Sequence, residues 1–281
     1  MRAAGLCGVS VCGVCVAAAV GGCQSFPDPP VTFVAGLRVL GIKADPPQVA
    51  AGASSSVDTL AVDTGGATPA ATWSACLEPP LQGETVNPDC LATPPAAFLQ
   101  PIGSGLTITT TMPQVTAAAL GEPDASGGVY LPLVAEVTAP GAGAVVAVYR
   151  LRLLQAPPAN TNPTIVTVYS LDGSGNMTPL DPASPTPVAS GGALSLGVTF
   201  AAGSAETYTA ADGTTATETL TTSWFATAGD FSVEKTSATQ PQTVLHLDQR
   251  LPAAGASIDL WAVGRDERGG TDFAHRVLQL Q

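Results

Sequence analysis

Acidic residues in two turn-like segments have types and spacing that could bind a calcium ion. The segment DGSGN begins at Asp172 and places oxygen-bearing side chains at alternate positions, as the start of a calcium loop does. Such a loop needs glycine at its sixth position and glutamate at its twelfth, where this chain has Met177 and Ala183. A second acidic turn, DERGGTD, carries Asp266 and Asp272. Because a plain turn needs no ion, we predict no cofactor and keep a weak calcium site at Asp172 or Asp266 as the alternative.

Residue types that serve as nucleophiles, metal ligands or phosphate-binding groups occur here, but without the neighbouring residues that such motifs require. Ser195, in ALSLG, is distantly similar to the nucleophile of Gly-x-Ser-x-Gly, but it stands between Leu194 and Leu196 in a strand-like run. The two histidines, His246 and His275, lack neighbouring cysteines and a paired carboxylate motif, so they make a poor zinc site. Neither lysine follows a glycine, which excludes a phosphate loop. We therefore predict no catalytic residue, no metal and no enzymatic activity.

The first 22 residues have the layout of a secretory signal peptide. Arg2 is followed by residues 3–22, which carry no charge and end in small residues before Cys23. The run is rich in alanine and glycine, so it is only mildly hydrophobic, and no flanking anchors follow it. These features favour a cleaved signal over a retained membrane helix, which stays the alternative.

The end of this signal, VGGC at residues 20–23, resembles the lipobox of bacterial lipoproteins: an aliphatic residue, two small residues and the cysteine that receives lipid. The other early cysteines, Cys7, Cys12 and Cys15, each follow a branched aliphatic residue that would block the peptidase pocket. The resemblance implies a diacylglyceryl thioether on Cys23, cleavage after residue 22 and acylation of the new amine. Two or three acyl chains anchor a protein stably. An ordinary secreted protein cut near the same place is the alternative.

Residues 23–31 have the composition of a stiff tether between the lipid and the folded chain. They contain three prolines, which favour an extended conformation. Residue 24 is Gln24 and not the aspartate that, in lipoprotein sorting, directs retention at the inner membrane. The resemblance therefore implies a cell-envelope protein that contacts the outer membrane through the lipid on Cys23. Whether it faces the periplasm or the exterior stays open.

Besides the lipidated residue, the mature chain would keep only Cys76 and Cys90. Export would place this lone pair in an oxidising compartment, where such cysteines join. The bond would close the segment CLEPPLQGETVNPDC, which is rich in turn residues and cannot be held by sheet hydrogen bonds. We predict a Cys76–Cys90 disulfide, with two free buried thiols as the alternative.

The composition argues against nucleic acid as a partner. The chain has 22 acidic residues against 10 basic ones, and its only lysines are Lys43 and Lys235. No basic patch could therefore neutralise phosphates. The acidic residues are scattered, which is typical of a solvated surface, and the hydrophobic share of 45% is enough for folded cores.

The chain has the pattern of two all-β domains. Its 30 glycines and 25 prolines separate short strand-like runs, and stretches with a helical period are almost absent. The segment QAPPANTNP divides the chain, and each half contains an opening strand, a strand with a lone tryptophan and a closing hairpin. We predict domain 1 over residues 32–155, a linker over 156–163 and domain 2 over 164–281.

Alternating apolar residues predict antiparallel strands with one buried face in each half. One such face contains Val129, Leu131, Leu133, Ala135 and Val137, and the other contains Leu194, Leu196, Val198 and Phe200.

This pattern resembles tandem immunoglobulin-like or PKD-like β-sandwich domains. Trp73 and Trp224 match the buried tryptophan of the third strand, and VGRDERGGTD is similar to the closing turn of PKD-like repeats. The disulfide that joins the two sheets of immunoglobulin domains has no counterpart here. The resemblance spans residues 31–281 and implies two antiparallel sandwiches in tandem.

Two aromatic residues of the second half are candidates for a binding surface. Trp224 and Phe225 are neighbours on one strand, so a core position for Trp224 makes Phe225 point outward. Trp261 shares a strand face with Asp259 and Arg265, whose unpaired burial would be costly. We predict that Phe225 and Trp261 form an exposed patch for a sugar ring, a protein or the first domain. The opposite phase, with Trp261 in the core, is the alternative.

Together, the anchor, the sandwiches and the missing site chemistry predict a membrane-anchored structural or interaction lipoprotein. It would present immunoglobulin-like domains to a protein or polysaccharide ligand. The alternative is an accessory or catalytic module of a secreted carbohydrate-processing hydrolase. A glycosidase would need two carboxylates about 5–10 Å apart across a groove, and a sandwich fold carries no function by itself.

Overall fold

The computed structural model describes residues 30–81, 84–92, 98–155, 158–248 and 250–281. The predicted signal peptide, Cys23 and the tether as far as residue 29 lie outside the described residues. Within the described residues the chain forms twenty β-strands, numbered here in chain order, and two one-turn 3₁₀ helices, Pro88–Leu91 and Ala117–Leu120. The all-β prediction is confirmed.

The first eight strands form two facing sheets, which we call sandwich 1. The smaller sheet has the order β1 (Leu37–Asp45), β3 (Ser54–Asp63) and β6 (Thr107–Thr111). The larger sheet has the order β2 (Gln48–Val49), β8 (Val145–Leu153), β7 (Tyr130–Thr138), β4 (Ala70–Cys76) and β5 (Leu99–Ser104). Neighbouring strands are antiparallel, except that β2 runs parallel to β8.

The core of sandwich 1 is built on the alternation of β7. All five apolar residues predicted to share a face around this strand are buried in one cluster with Trp73 of β4. The indole Nε1 of Trp73 donates a hydrogen bond to the Gly105 carbonyl at 3.1 Å, so its only polar atom is satisfied inside the core. Residues such as Ile42 and Val57 close this core from the smaller sheet.

The last twelve strands form sandwich 2 and one separate hairpin. One sheet has the order β10 (Met177–Pro179), β9 (Ile165–Leu171), β12 (Ala193–Phe200), β18 (Gln242–His246) and β16 (Asp230–Phe231). The other has the order β11 (Thr186–Val188), β20 (Thr271–Leu280), β19 (Ser257–Arg265), β15 (Thr221–Ala226) and β17 (Lys235–Ser237). The hairpin pairs β13 (Thr207–Thr209) with β14 (Thr215–Thr217). Strand β11 runs parallel to β20.

The second core surrounds Trp224, which is fully buried. Its Nε1 donates to the Thr236 hydroxyl at 3.0 Å. Leu196 of β12 faces Leu260 and other residues of β19 across this core. Ser195 lies inside β12, opposite residues of β9 and β18, so it occupies a strand and not a strand-to-helix turn.

The two sandwiches pack together, and Val31–Gln281 form one compact unit. The outward faces of β1 and β3 meet the outward face of β15, β19 and β20, in what we call the sandwich interface. Its buried side chains are Val34, Leu40, Trp261 and Val263, and partly buried apolar neighbours are Leu60, Val62, Phe225 and Phe273. Gly41 allows the close approach of β1, since a Cβ at this position would lie 3.1 Å from a methyl carbon of Val263.

The segment predicted as a linker is bonded to both sandwiches. The Asn160 amide donates to Gln48 Oε1 of β2 at 2.8 Å, and Asn162 Nδ2 donates to the Ala44 carbonyl of β1 at 2.8 Å. Asn162 Oδ1 in turn accepts a hydrogen bond from the Thr271 amide of β20 at 2.9 Å. The two described asparagines of this segment therefore contribute to the contact between sandwiches. Strands β1 to β8 fall within predicted domain 1 and β9 to β20 within predicted domain 2.

Candidate functional site

The predicted aromatic patch is covered by sandwich 1. Phe225 and Trp261 pair directly in the β15–β19 ladder and both face away from the Trp224 core, as the alternation predicts. Trp261 is nevertheless only 6% exposed, and the Arg38 guanidinium of β1 lies 6.0 Å from the centre of the Phe225 ring. The expectation of a solvent-exposed platform is therefore wrong. The sequence predicts a sugar ring, a protein or the first domain as the occupant of this face. In the structure, the first domain covers it.

The two charged residues that favoured exposure of Trp261 are accommodated at the margins of the interface. Asp259 is half-exposed, and its Oδ1 lies 2.7 Å from Nε2 of His275. Arg265 is largely enclosed but donates to the Leu40 carbonyl at 3.0 Å and to the Ser223 hydroxyl at 3.1 Å. Charge at both ends of a strand face is thus compatible with burial of the tryptophan between them.

Cys76 and Cys90 are joined by a disulfide, as the sequence predicts, with their Cα atoms 6.0 Å apart. Both sulfur atoms sit in a small apolar cluster with Val86 and with Val134 of β7. Asn87 caps the adjacent 3₁₀ helix through a hydrogen bond from the Asp89 amide at 3.0 Å. The bridged loop therefore lies against the outer face of the larger sheet of sandwich 1.

The carboxylates of Asp172 and Asp266, in the two calcium-like turns, accept hydrogen bonds from backbone N–H groups. Asp172 Oδ1 accepts from the amides of Ser174 and Asn176 at 2.8 and 2.9 Å. Asp266 Oδ1 accepts from the amides of Arg268 and Gly270, both at 2.8 Å. Burial raises the pKa of Asp266, although these hydrogen bonds oppose the shift. Across the described ranges, no group of three or more His, Cys, Asp or Glu residues could hold a metal ion.

Among the described residues, Glu206 and Glu218 are two carboxylates that lie close together and could be compared with the pair that the hydrolase alternative would need. Both contact the same guanidinium: Arg268 Nη2 lies 2.7 Å from Glu206 Oε2, and Nε lies 2.6 Å from Glu218 Oε1. The side chain of Glu218 is fully buried, and this burial raises its pKa. Arg268 also donates to Asn160 Oδ1 at 2.7 Å. The cluster is therefore a closed ionic contact beside the linker, not a pair facing a substrate across a groove.

A groove at the junction of the sandwiches has open polar groups. One part, of about 420 Å³, runs between β1 and β8 and ends at the turn that joins β19 to β20. A second part, of about 680 Å³, continues along the loop that the Cys76–Cys90 bond closes, which we call the disulfide loop. Asp124, Tyr130 and Arg150 line both parts, and we call the whole depression the Arg150 groove.

The Arg150 side chain donates no hydrogen bond within the part of the chain that the structure describes. Its guanidinium carbon stacks 3.9 Å from the centre of the Tyr130 ring. The nearest carboxylate oxygen, Asp124 Oδ2, is 3.9 Å from Nη2, beyond hydrogen-bond distance. Nε is buried without a hydrogen-bond partner, and the side chain is 37% exposed. A stacked guanidinium with open donors is pre-organised to bind a carboxylate in a bidentate manner.

Asp124 accepts hydrogen bonds from several residues in or beside the wall of the groove. Its Oδ1 accepts hydrogen bonds from the amides of Ser126 and Gly128, each at 3.0 Å, and its Oδ2 accepts from the Tyr130 hydroxyl at 2.7 Å. Burial acts to raise the pKa of Asp124, but the hydrogen bonds from Ser126, Tyr130 and Gly128 and the charge of Arg152 outweigh it and lower the pKa. Burial raises the pKa of Tyr130, so its hydroxyl stays a donor.

Strand pairing explains why these side chains meet. In the β7–β8 ladder, Tyr130 lies opposite Arg152 and Pro132 lies opposite Arg150. Arginines two positions apart share a strand face, so both guanidinium groups lie beside Tyr130. No motif in the sequence indicated this site. The signal available was the alternation in YRLRL, which places two of the chain's ten basic residues on one face.

Comparisons with known proteins supply no family. No protein-family model and no curated protein matches the chain. Two similar solved structures are a mutant of Salmonella alpha-2-macroglobulin and dimeric latent PorU from Porphyromonas gingivalis. Their sequence identities are 10% and 8%, and their TM-scores 0.26 and 0.24; each match covers 88% of this chain but only 17% and 24% of the other. The chain thus spans less than a quarter of either neighbour, and likeness at this level carries no argument about function. Among the described residues, no helix is long and apolar enough to cross a membrane.

Proposed function

We propose that the protein is a lipid-anchored interaction lipoprotein of the cell envelope, built from immunoglobulin-like or PKD-like sandwiches. In this proposal the lipid on Cys23 attaches the chain to the outer membrane, and the folded unit is presented to a protein or polysaccharide partner. It acts by binding and not by catalysis.

The observation that most supports this proposal is the burial of Trp261 and Val263 between the two sandwiches. A buried aromatic side chain contributes on the order of several kcal/mol to such a contact. The Lys43–Asp272 ion pair, at 2.9 Å, crosses the same interface. Two sandwiches held in one orientation form a continuous surface with a groove at their junction, which suits recognition of an extended partner.

No observation favours the hydrolase alternative. Glycoside hydrolysis requires one carboxyl group free to donate a proton and a second free to attack or to activate water. Glu206 and Glu218 both contact the same guanidinium of Arg268, and the side chain of Glu218 is inaccessible to solvent. We therefore keep the binding role as the proposed function.

The anchor is tested by replacing Cys23 with serine in the producing cell. The Cys23→Ser variant should lose the acylated species and move from the membrane to the soluble fraction, whereas Cys15→Ser should leave lipidation intact. Mass spectrometry of the mature N-terminus provides the readout. An intact Met1, or a mature chain with an unmodified Cys23, would contradict the proposed anchor.

A further inference from the structure

We propose that a cavity between the two sandwiches, separate from the Arg150 groove, binds the carboxylate group of a small organic acid. We call it the Arg152 cavity. It has a volume of about 210 Å³, and its lining includes the guanidinium-bearing side chains Arg152 and Arg268. This inference goes beyond the proposed function, because the ligand is a small molecule and not a macromolecular partner.

Both sandwiches contribute to the Arg152 cavity. Arg152 lies on β8 of sandwich 1, whereas Arg268 lies in the turn between β19 and β20 and Thr209 ends β13. The hairpin that carries Thr209 is held against sandwich 1, since the Ala211 amide donates to the Ala125 carbonyl at 3.2 Å. A ligand in this cavity would therefore contact both sandwiches at once.

The charge of Arg152 is buried without an ion pair. The residue is only 6% exposed. Its Nη1 donates to the hydroxyls of Ser126 and Tyr130 at 2.6 and 3.2 Å, and its Nη2 donates to the Ser126 carbonyl at 2.9 Å. All these acceptors are uncharged, and Nε has no hydrogen-bond partner. Because a buried charge is normally paired, the site lacks an anion.

The nearby carboxylate of Asp124 does not fill this role. The charge of Arg152 helps to lower the pKa of Asp124, but Asp124 accepts its hydrogen bonds from Ser126, Gly128 and the Tyr130 hydroxyl. No carboxylate accepts a hydrogen bond from Arg152 within the described ranges.

Arg268 offers a second donor to the same cavity. Its Nε contacts Glu218, and its Nη2 contacts Glu206 and the Asn160 side chain. The guanidinium carbon lies 5.0 Å from the centre of the Tyr208 ring, which also lines the cavity. Among the described residues, Nη1 of Arg268 has no hydrogen-bond acceptor, yet it is not one of the enclosed unpaired atoms. It is therefore available to a ligand.

The charges around the cavity favour a monoanion. In a chain with a formal net charge of −12, the described residues that line this cavity include two arginines and neither aspartate nor glutamate. Glu206 and Glu218 balance Arg268 from outside the lining, which leaves about one positive charge, that of Arg152. A dianion such as phosphate would add excess negative charge beside these glutamates. The planar carboxylate matches a guanidinium in charge and shape.

The size of the cavity limits the rest of the ligand. Its volume of about 210 Å³ lies below the range of roughly 300–1,000 Å³ that is typical of sites for drug-sized molecules. Leu153 and Pro158 supply apolar contacts for a short aliphatic chain. Gln155 also lines the cavity, and its Nε2 donates to the Gly127 carbonyl at 3.2 Å. The structure therefore suits a short-chain monocarboxylic acid.

The test uses NMR of the full chain in detergent, with ¹⁵N-labelled arginine, titrated with sodium propionate at constant ionic strength. The enclosed Nε–H of Arg152 should exchange slowly with water and so remain observable. Propionamide is the uncharged match, phosphate is the dianion, and acetyl-alanine represents the end of a peptide. Thr209→Glu places a fixed carboxylate at the cavity, and Thr178→Glu, on exposed β10, is the control with the same charge change.

We expect propionate to shift Arg152 and Arg268 signals saturably, with a dissociation constant on the order of 1 mM. Propionamide should bind at least about 10-fold more weakly, the effect of losing a hydrogen bond between charged groups. Thr209→Glu should cause a similar loss, because its carboxylate competes with the ligand, and Thr178→Glu should bind as the wild type does. Saturating propionate should also raise the urea midpoint of the wild type, since the ligand binds the folded state.

Absence of a saturable shift, or equal binding of propionate and propionamide, would overturn the proposal. Unchanged binding to Thr209→Glu would place the site elsewhere and also overturn it. Tighter binding of phosphate or of acetyl-alanine would overturn the small carboxylate in favour of a phosphate ligand or a peptide end. The comparison among ligands uses the unmodified protein, so it does not depend on whether a variant folds. Neither outcome bears on the Cys23 anchor.

Discussion

At the scale of single residues, Asp124 stabilises the candidate site through its ionised form. It accepts hydrogen bonds from two backbone amides and from the hydroxyls of Ser126 and Tyr130. These donors, with the charge of Arg152, lower its pKa from the ordinary value of 3.8. A carboxylate whose pKa is lower in the folded state contributes stability above its unfolded pKa, and that contribution is lost as the pH falls through the folded pKa.

Replacing Asp124 with asparagine should therefore destabilise the protein at neutral pH, and the difference should shrink as the pH falls below 3.8. Loss of hydrogen bonds to a charged group predicts a cost of about 1–3 kcal/mol at pH 7. Urea unfolding at a series of pH values measures it, with Glu136→Gln, an exposed acid of β7, as the control. A cost that is constant with pH would show that ionisation of Asp124 does not stabilise the fold.

At the scale of elements, the disulfide loop compensates for missing sheet structure. Between β4 and β5 the described chain contains only a one-turn 3₁₀ helix, and such a segment has few backbone hydrogen bonds to hold it. The Cys76–Cys90 bond and the contacts of Val86 and Val134 attach it to the outer face of the larger sheet. The same loop supplies Pro80 and Leu81 to the wall of the Arg150 groove.

Replacing Cys76 and Cys90 together with alanine should lower the free energy of unfolding by about 3 kcal/mol, the value expected for closing a loop of this size. Urea denaturation of the oxidised protein and of the double variant gives the difference. A reducing agent should destabilise the wild type by a similar amount and leave the variant unchanged. A variant as stable as the oxidised wild type would argue that the bond contributes little.

At the scale of the whole molecule, the sequence predicts the faces of the strands better than the way the sandwiches dock. Alternation around Trp224 correctly separates the core face of β15 from the face of Phe225, because that pattern is local. Which surface covers Trp261 depends on β1 and β3, about 200 residues earlier in the chain, and no local rule links them. A weak signal was present: Leu60 and Val62 give the outward face of β3 an apolar character, which is typical of a sheet covered on both sides.

The Arg150 groove was harder to predict for the same reason. The alternation of β8 places Arg150 and Arg152 on one face, but their neighbours Asp124 and Glu267 come from a loop of sandwich 1 and a turn of sandwich 2. Their proximity depends on the docking of the sandwiches. Cys76 and Cys90, by contrast, were predictable because exclusion of the other cysteines left a single pair.

If the two sandwiches form one cooperative unit through the Trp261 interface, the three tryptophans of the chain should report a single unfolding transition. Trp73 lies in the first core, Trp224 in the second, and Trp261 between the sandwiches. Incorporation of 5-fluorotryptophan would give each region its own ¹⁹F NMR signal during a urea titration. We expect all three folded signals to disappear with the same midpoint, as in a single cooperative transition. Separate midpoints for Trp73 and Trp224, with the Trp261 signal lost before either, would contradict it.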